Sequence, residues 1–326
     1  MLNLNSFKVI KVSKSGNYLV TIAIGESYQV RFQKNVLESW EKYAEKNNLG
    51  IILFHDHLVA VSHPNWKKPT WQKLIISSVL LQSGFPVKCV CYLDTDIIIN
   101  PFAPNIFDHS VSNKISVVSL RNNLPFSYMS TLKKLALLRK KYIDPMYPLD
   151  SVLFADLKTL YEFQNLPIQT DEFCAGLLLF NPHELANQME NWFYLYDRDV
   201  ESITDGGDQT HLNYHVLSSN LASFLNYEFQ AIWAFEAANY YPFLFINGFS
   251  DRSLYNECIQ ATLMRVNFLH FAGSWPESST FGSEDFSLNL VYLDLYKEYK
   301  DYLDLDVIGK SIGKILPTSY KSKFKK

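Results

Sequence analysis

Apolar and polar positions along the first hundred residues switch between two periods. Tyr18–Gly25 (YLVTIAIG) is rich in β-formers and closes on a glycine, as a buried parallel strand does. Phe32–Asn47 changes to three- and four-residue spacing: Val36, Leu37, Trp40, Tyr43 and Ala44 recur among charges and predict a helix stopped by Asn47, Asn48 and Gly50. Ile51–His55 predicts a second strand, Thr70–Gln82 a second helix closing at Gly84, and Val87–Asn100 a third strand broken only by two aspartates. Strand, helix, strand, helix, strand without hairpin signals predicts a parallel α/β sheet with right-handed crossovers.

After Pro101 the pattern loosens. Residues 120–165 mix Pro, Tyr and a basic helix-like run, Leu132–Tyr142, and read as an insertion beside the sheet. A strand returns at Ala175–Asn181, a helix at Pro182–Tyr196, another helix within Asp205–Ser218 and a last short strand at Val266–Phe271. No internal repeat and no Gly-, Ser- or Pro-rich linker interrupts the chain. The expected organisation is one domain over 1–276 and a helical, basic tail over 277–326.

Composition narrows the class. With 48% hydrophobic and 19% charged residues, the 326-residue chain can bury a large core, which excludes wholesale disorder. No apolar run approaches the roughly 18 residues that span a bilayer, and the N-terminal MLNLNSFKVIKVSK has no continuous apolar stretch of the secretory kind. Cys89, Cys91, Cys174 and Cys258 lack zinc spacing and read as buried free thiols in a reducing compartment. The expectation is a cytoplasmic protein.

Charge is unevenly spread. The last twenty residues hold six lysines and no acid, leaving 24 basic against 33 acidic side chains on residues 1–306. An acidic body argues against a nucleic-acid binder. In the tail, Val307, Ile308, Ile312, Ile315 and Leu316 fall near helical spacing beside Lys310 and Lys314. Such a segment either lies on an anionic membrane, here the inner membrane surface, or is a solvated terminus.

The most informative chemistry is Tyr92-Leu93-Asp94-Thr95-Asp96-Ile97. Alternation along a strand would point Asp94 and Asp96 to one face and Thr95 to the other. Paired carboxylates on an apolar strand repel each other and are costly to desolvate; a divalent cation between them reverses that cost. Carboxyl ends of parallel strands are also where ligands bind.

From these residues a family resemblance emerges. YLDTDIIINPFAPNIFD resembles the metal-binding segment of GT-A-fold glycosyltransferases, in which an Asp-x-Asp pair holds Mn²⁺ or Mg²⁺ against a nucleotide-sugar diphosphate. Thr21-Ile22-Ala23-Ile24-Gly25-Glu26-Ser27-Tyr28 resembles the first-strand nucleotide segment of glycosyltransferase family 8, the group of glycogenin and the lipopolysaccharide galactosyltransferases. Trp71-Gln72-Lys73-Leu74 lies where that family places a basic residue near the donor. Phe173-Cys174-Ala175-Gly176 resembles its Asn-Ser-Gly strand, Asp208-Gln209 its Asp-Gln helix start, and His270-Phe271-Ala272-Gly273 its final metal-histidine strand. The segment HPNWKKPTWQK is also similar to the α-galactosyl- and xylosyltransferase group.

The resemblance implies a GT-A fold, Rossmann-like and mostly parallel with flanking helices. It implies a metal-dependent hexosyltransferase, retaining in stereochemistry, that uses a nucleotide-sugar donor, a UDP-sugar foremost. Its ligands to Mn²⁺ or Mg²⁺ would be Asp94, Asp96 and His270. Asp208 and Gln209 would act at the sugar, and Thr21, Ala23, Tyr28, Lys73, Asp94, Thr95, Asp96, Gly176 and Gly273 would bind the donor. Lys73, on an apolar helix, either snorkels to water or reaches a buried anion such as the diphosphate. Tyr28 offers an aromatic face for a base. His211 and His215 lack a third ligand and read as a solvated or core-edge pair. The acceptor is left open among glycan, lipid-linked and protein. Three departures stand out: Gly25 replaces the family's usual Asp or Asn, Cys174-Ala175 replaces Asn-Ser, and no Lys-Pro-Trp follows Gly273. Two rivals are a non-catalytic sugar-nucleotide binder of the same fold and a nucleotidyltransferase, whose Gly-rich basic loop GESYQVRF matches poorly.

Overall fold

The computed structural model describes residues 2–146, 152–204, 207–245 and 251–273. The tail over 277–326 lies outside these residues, so the membrane reading placed on it is not addressed by the structure.

Among the described residues ten strands form two sheets. They are β1 (Phe7–Lys11), β2 (Asn17–Ile22), β3 (Gly50–Phe54), β4 (Cys89–Leu93), β5 (Ile97–Ile99), β6 (Ile115–Val117), β7 (Leu177–Phe180), β8 (Ala222–Phe224), β9 (Ala231–Ile232) and β10 (Phe268–His270). The larger sheet has the order β1-β3-β2-β4-β7-β6-β8 and the smaller the order β5-β10-β9. β2 pairs in parallel with β3 and β4, and β8 with β6, whereas β1 and β7 run against their neighbours. Five of the seven strands therefore point one way, and the expected α/β architecture is the one formed.

The parallel trio β3-β2-β4 explains where a ligand can sit. The chain leaves β2 for β3 on one side, then crosses back over β2 to reach β4 on the other. The carboxyl ends of β2 and β4, where the two crossovers diverge, are the position at which open α/β sheets bind ligands. Both faces of these strands are covered. Tyr18, Val20, Val90 and Tyr92 join Val79, Leu80, Met189 and Trp192 of helices Ile76–Gln82 and Pro182–Tyr194 in one core. Helix Leu37–Asn47 anchors the segment that follows β4: Trp40 donates its indole N–H to the Ile97 carbonyl at 2.8 Å, and the Tyr43 hydroxyl donates to the Pro104 carbonyl at 2.9 Å.

Three expected elements are divided. The Phe32–Asn47 helix is two, Glu26–Asn35 and Leu37–Asn47, separated at Val36 with φ −124°. The Thr70–Gln82 helix tightens to a 3₁₀ turn at Lys73–Ile75. Most consequentially, Val87–Asn100 is not one strand: it leaves the large sheet after Leu93, turns through Asp94-Thr95-Asp96 and enters the small sheet as β5. Strand alternation therefore does not bring the aspartates together. The turn does.

Candidate metal and donor site

Both sheets contribute to the site. The Asp94 amide donates to the Gly176 carbonyl at 2.9 Å, continuing the β4–β7 ladder one step past Leu93–Leu177. In the small sheet His270 lies opposite Ile97, and the Phe271 amide donates to the Asp96 carbonyl at 3.0 Å. The turn between the sheets thus faces the end of β10. His270 Nε2 stands 3.2 Å from Asp96 Oδ1 and 3.8 Å from Asp94 Oδ2. Ligand atoms of the three residues all fall within 4.8 Å of one another.

Gly176 lets His270 and Asp94 close in on the backbone that leads into β7. A Cβ there would come 2.5 Å from His270 Cε1, 2.7 Å from Asp94 Oδ2 and 3.1 Å from Gln230 Nε2. Its φ is not positive, so backbone freedom is not the reason for the glycine. Close approach is. Two carboxylates and an imidazole nitrogen converging in this way are the oxygen-rich donor set that Mg²⁺ and Mn²⁺ take.

Behind the triad lies a buried ion pair. Lys73, fixed on the 3₁₀ turn, points its ammonium inward, 3.2 Å from Asp208 Oδ2 and donating to the Ala175 carbonyl at 2.8 Å. It also lies 5.0 Å from the centre of the Tyr92 ring, whose hydroxyl donates to Asp94 Oδ1 at 2.7 Å. Burial disfavours the Lys73 charge, but the carboxylates of Asp208 and Asp94 outweigh it and hold its pKa up. Burial likewise raises Asp208, against the pull of Lys73. Asp208 stands at the N-cap of helix Gln209–Ser218 without capping it, because its carboxylate is turned to Lys73. Of the readings for Lys73, the structure shows a buried anion, and that anion belongs to the protein.

His270 is buried, which works against a charged ring; its contacts with Cys174 and Asp96 overcome this and hold its pKa well above the ordinary imidazole value. Asp94, Asp96 and Asp208 thus face two positive groups, Lys73 and the protonated His270 ring, and a divalent cation at the triad would take the place of the ring proton.

Beside the triad is a cavity of about 370 Å³, lined among others by Tyr128, Glu172, Cys174, Gln209, Phe235 and Gly273. The Gln209 amide nitrogen donates to Glu172 Oε1 at 2.9 Å, and the other Glu172 oxygen accepts from Arg121 Nε and Nη2 at 3.1 and 2.9 Å. A carboxylate only accepts. Glu172 therefore fixes which end of the Gln209 amide faces it, leaving the carbonyl oxygen for the cavity.

The remaining candidates lie on other elements. Thr21 and Ala23 are buried at the carboxyl end of β2, and Thr95 is half-buried at the tip of the turn. Tyr28 is 52% exposed on helix Glu26–Asn35, with the Arg31 guanidinium 4.7 Å from its ring centre. Gly25, at φ 98° and ψ 145°, occupies backbone space close to that reserved for glycine, which accounts for the departure from Asp or Asn. Gly273 likewise has φ 74°. His211 packs on Trp71 and Tyr196, and His215 accepts from or donates to the Tyr196 hydroxyl at 2.8 Å, a core-edge pair as expected. All four cysteines are free and buried. Sequence reasoning missed Glu172, Arg121 and Gln230; the acid directly before the apolar Phe173–Phe180 run was the one available signal.

No family model and no curated protein matches the chain. In fold it is similar to solved glycosyltransferases. One is involved in glycosylation of the major capsid of PBCV-1, at 10% identity over 81% of this chain and 98% of that one, with a TM-score of 0.44. Another is the galactosyltransferase LgtC in complex with donor and acceptor sugar analogues, at 13% identity over 78% and 87%, TM-score 0.41. A third is the bifunctional glycosyltransferase WbbM, at 13% identity and TM-score 0.45, of which this chain spans 50%.

Proposed function

We propose that the protein is a metal-dependent glycosyltransferase that moves a sugar from a nucleoside diphosphate, a UDP-sugar foremost, to a glycan, lipid-linked or protein acceptor. The observation that carries this reading is the Asp94–Asp96–His270 triad, closed against Gly176 just past the carboxyl end of β4. Mn²⁺ or Mg²⁺ held there supplies Lewis-acid stabilisation to a leaving diphosphate.

The protein's own groups divide the remaining work. Tyr92 holds one Asp94 oxygen, leaving the other to face His270. Lys73 fixes the Asp208 carboxylate at the helix start through their 3.2 Å contact, where its negative field favours positive charge developing at the anomeric carbon. Gln209, oriented by Glu172, presents its carbonyl oxygen to the sugar in the cavity. Tyr28 offers its exposed face to the base, and the backbone of Thr21, Ala23, Thr95 and Gly273 lines the donor. Retention of configuration is the expected outcome.

Hydrolysis of a panel of UDP- and GDP-sugars with Mn²⁺ tests this reading. A cation-dependent release of nucleoside diphosphate is expected, abolished by Asp94→Ala or Asp96→Ala with the fold intact. Near-normal turnover in either variant would sink the assignment. Donor binding without turnover, for every donor and acceptor tried, would make the protein a sugar-nucleotide binder instead.

A further inference from the structure

The region expected as an insertion carries a surface that the transfer chemistry does not use. Helix Tyr128–Leu138 continues through a wider turn, Arg139–Ile143. Its inner side is tied down: Leu132, Leu135 and Leu138 are buried, the helix packs against Trp233–Tyr240, and Asn239 accepts from Lys134 and donates to Thr131. The outer side is of a different kind. Met129 and Leu137 are 58% and 62% exposed, followed by Ile143 at 41% and Met146 at 82%. Between them Lys133, Lys140 and Lys141 face solvent.

No Asp or Glu occurs from His109 to Ile143, although residues 1–306 carry a clear acidic excess. A helix built only to face water mixes both signs along its face and spaces them to pair. Single exposed apolar side chains are ordinary, but long ones interleaved with three lysines on one face are not. Lysine stems lie along apolar surface while their ammonium groups reach outward, so this face can seat Met129 and Leu137 among acyl chains and its lysines at phosphates. The Arg139–Ile143 turn packs on Pro242–Phe245, where Phe243 is a further exposed aromatic.

We infer that the outer face of residues 128–146 is a docking surface for an anionic phospholipid bilayer. Tyr128, the first residue of the helix, also lines the cavity beside the metal triad. A bilayer on this face therefore lies at the flank of that cavity. Taken together with the proposed transfer reaction, on which this last step rests, the placement selects an acceptor carried by the membrane.

Co-sedimentation of the full-length protein with vesicles tests the surface without donor or metal. Phosphatidylcholine vesicles containing about a third phosphatidylglycerol should bind it, and pure phosphatidylcholine vesicles should not. Each lysine near such a surface is worth roughly fivefold in partitioning, about 1 kcal/mol. Lys133→Ser/Lys140→Ser/Lys141→Ser should accordingly lower binding about 100-fold, with an unchanged melting temperature because these side chains are exposed. Met129→Ser/Leu137→Ser should remove the part of binding that survives high salt. Wild-type affinity in the triple-lysine variant, equal binding to both vesicle types, or no binding to anionic vesicles would each overturn the proposal. Soluble donor hydrolysis, unaffected by these substitutions, reports separately on the transfer reading.

Discussion

Replacing Gly176 with alanine puts a methyl group in place of a hydrogen where His270 and Asp94 approach the backbone most closely. The backbone accepts alanine there, since φ is not in the left-handed region. The new Cβ would lie 2.5 Å from His270 Cε1 and 2.7 Å from Asp94 Oδ2, distances that carbon does not sustain. His270 is almost fully buried and has no room to retreat, whereas Asp94 is about a third exposed and can rotate outward. Either relief moves a ligand out of the triad. Overpacking of this kind costs about 1–3 kcal/mol when neighbours must shift, and rotation of Asp94 into solvent places the penalty at the lower end. Metal affinity should suffer more than stability: disturbed support of a metal ligand typically lowers affinity 10- to 100-fold, or about 1.4–2.7 kcal/mol. Mn²⁺ titration followed by the loss of the free-ion electron paramagnetic resonance signal reads the affinity, and urea unfolding reads the stability. Gly176→Ala with wild-type Mn²⁺ affinity would refute the reasoning, because the methyl group has to displace His270 or Asp94 from its place in the triad.

Further predictions concern the groups around the triad. Lys73→Met leaves Asp208 buried without its partner and should lose about 3–5 kcal/mol in urea unfolding; Lys73→Met/Asp208→Leu should recover part of it, and a loss below about 1 kcal/mol in the single variant would mean that the pair is not buried as described. His211 gives a pH signature. Burial, aided by His215, holds its pKa down to about 4 from the ordinary 6.5. Between these values the unfolded imidazole binds a proton that the folded one does not, so its contribution is intact above pH 6.5 and is lost as the pH falls towards 4, by about 3 kcal/mol. His211→Phe should therefore flatten the stability profile over that window; an unchanged slope would show that the ring is accessible. Glu172→Gln frees the Gln209 amide to turn over, and should lower kcat for donor hydrolysis more than it raises KM, whereas an equal effect on both would indicate a binding role.

Much of this arrangement was written in local pattern. The run YLVTIAIG, the helix spacing after it and the apolar segment around Asp94 specify three parallel strands with two crossovers, because strands buried on both faces need near-continuous apolar residues. The paired aspartates were legible, but not the way they meet: nothing in CVCYLDTDIII marks the point where one sheet ends and another begins, since Ile97–Ile99 suits either. β1 alternates weakly and sits at an edge, half exposed, and β6, β8 and β9 are two or three residues long, too short for any period to register. The Lys73–Asp208 pair joins residues 135 positions apart, and no spacing rule links them. Nor does local sequence reveal that Gly176 is required by a neighbour's carboxylate rather than by its own backbone, or that Gln209 takes its orientation from Glu172.

The central claim is that Asp94, Asp96 and His270 hold a cation against a nucleoside diphosphate, and calorimetric titration with UDP tests it most directly. Wild-type protein should bind UDP in the presence of Mn²⁺ and lose that binding when the ion is chelated. Asp96→Asn should bind poorly under both conditions, with an unchanged unfolding midpoint. UDP binding that is equally tight without Mn²⁺, or cation-dependent binding that survives in Asp96→Asn, would contradict the account.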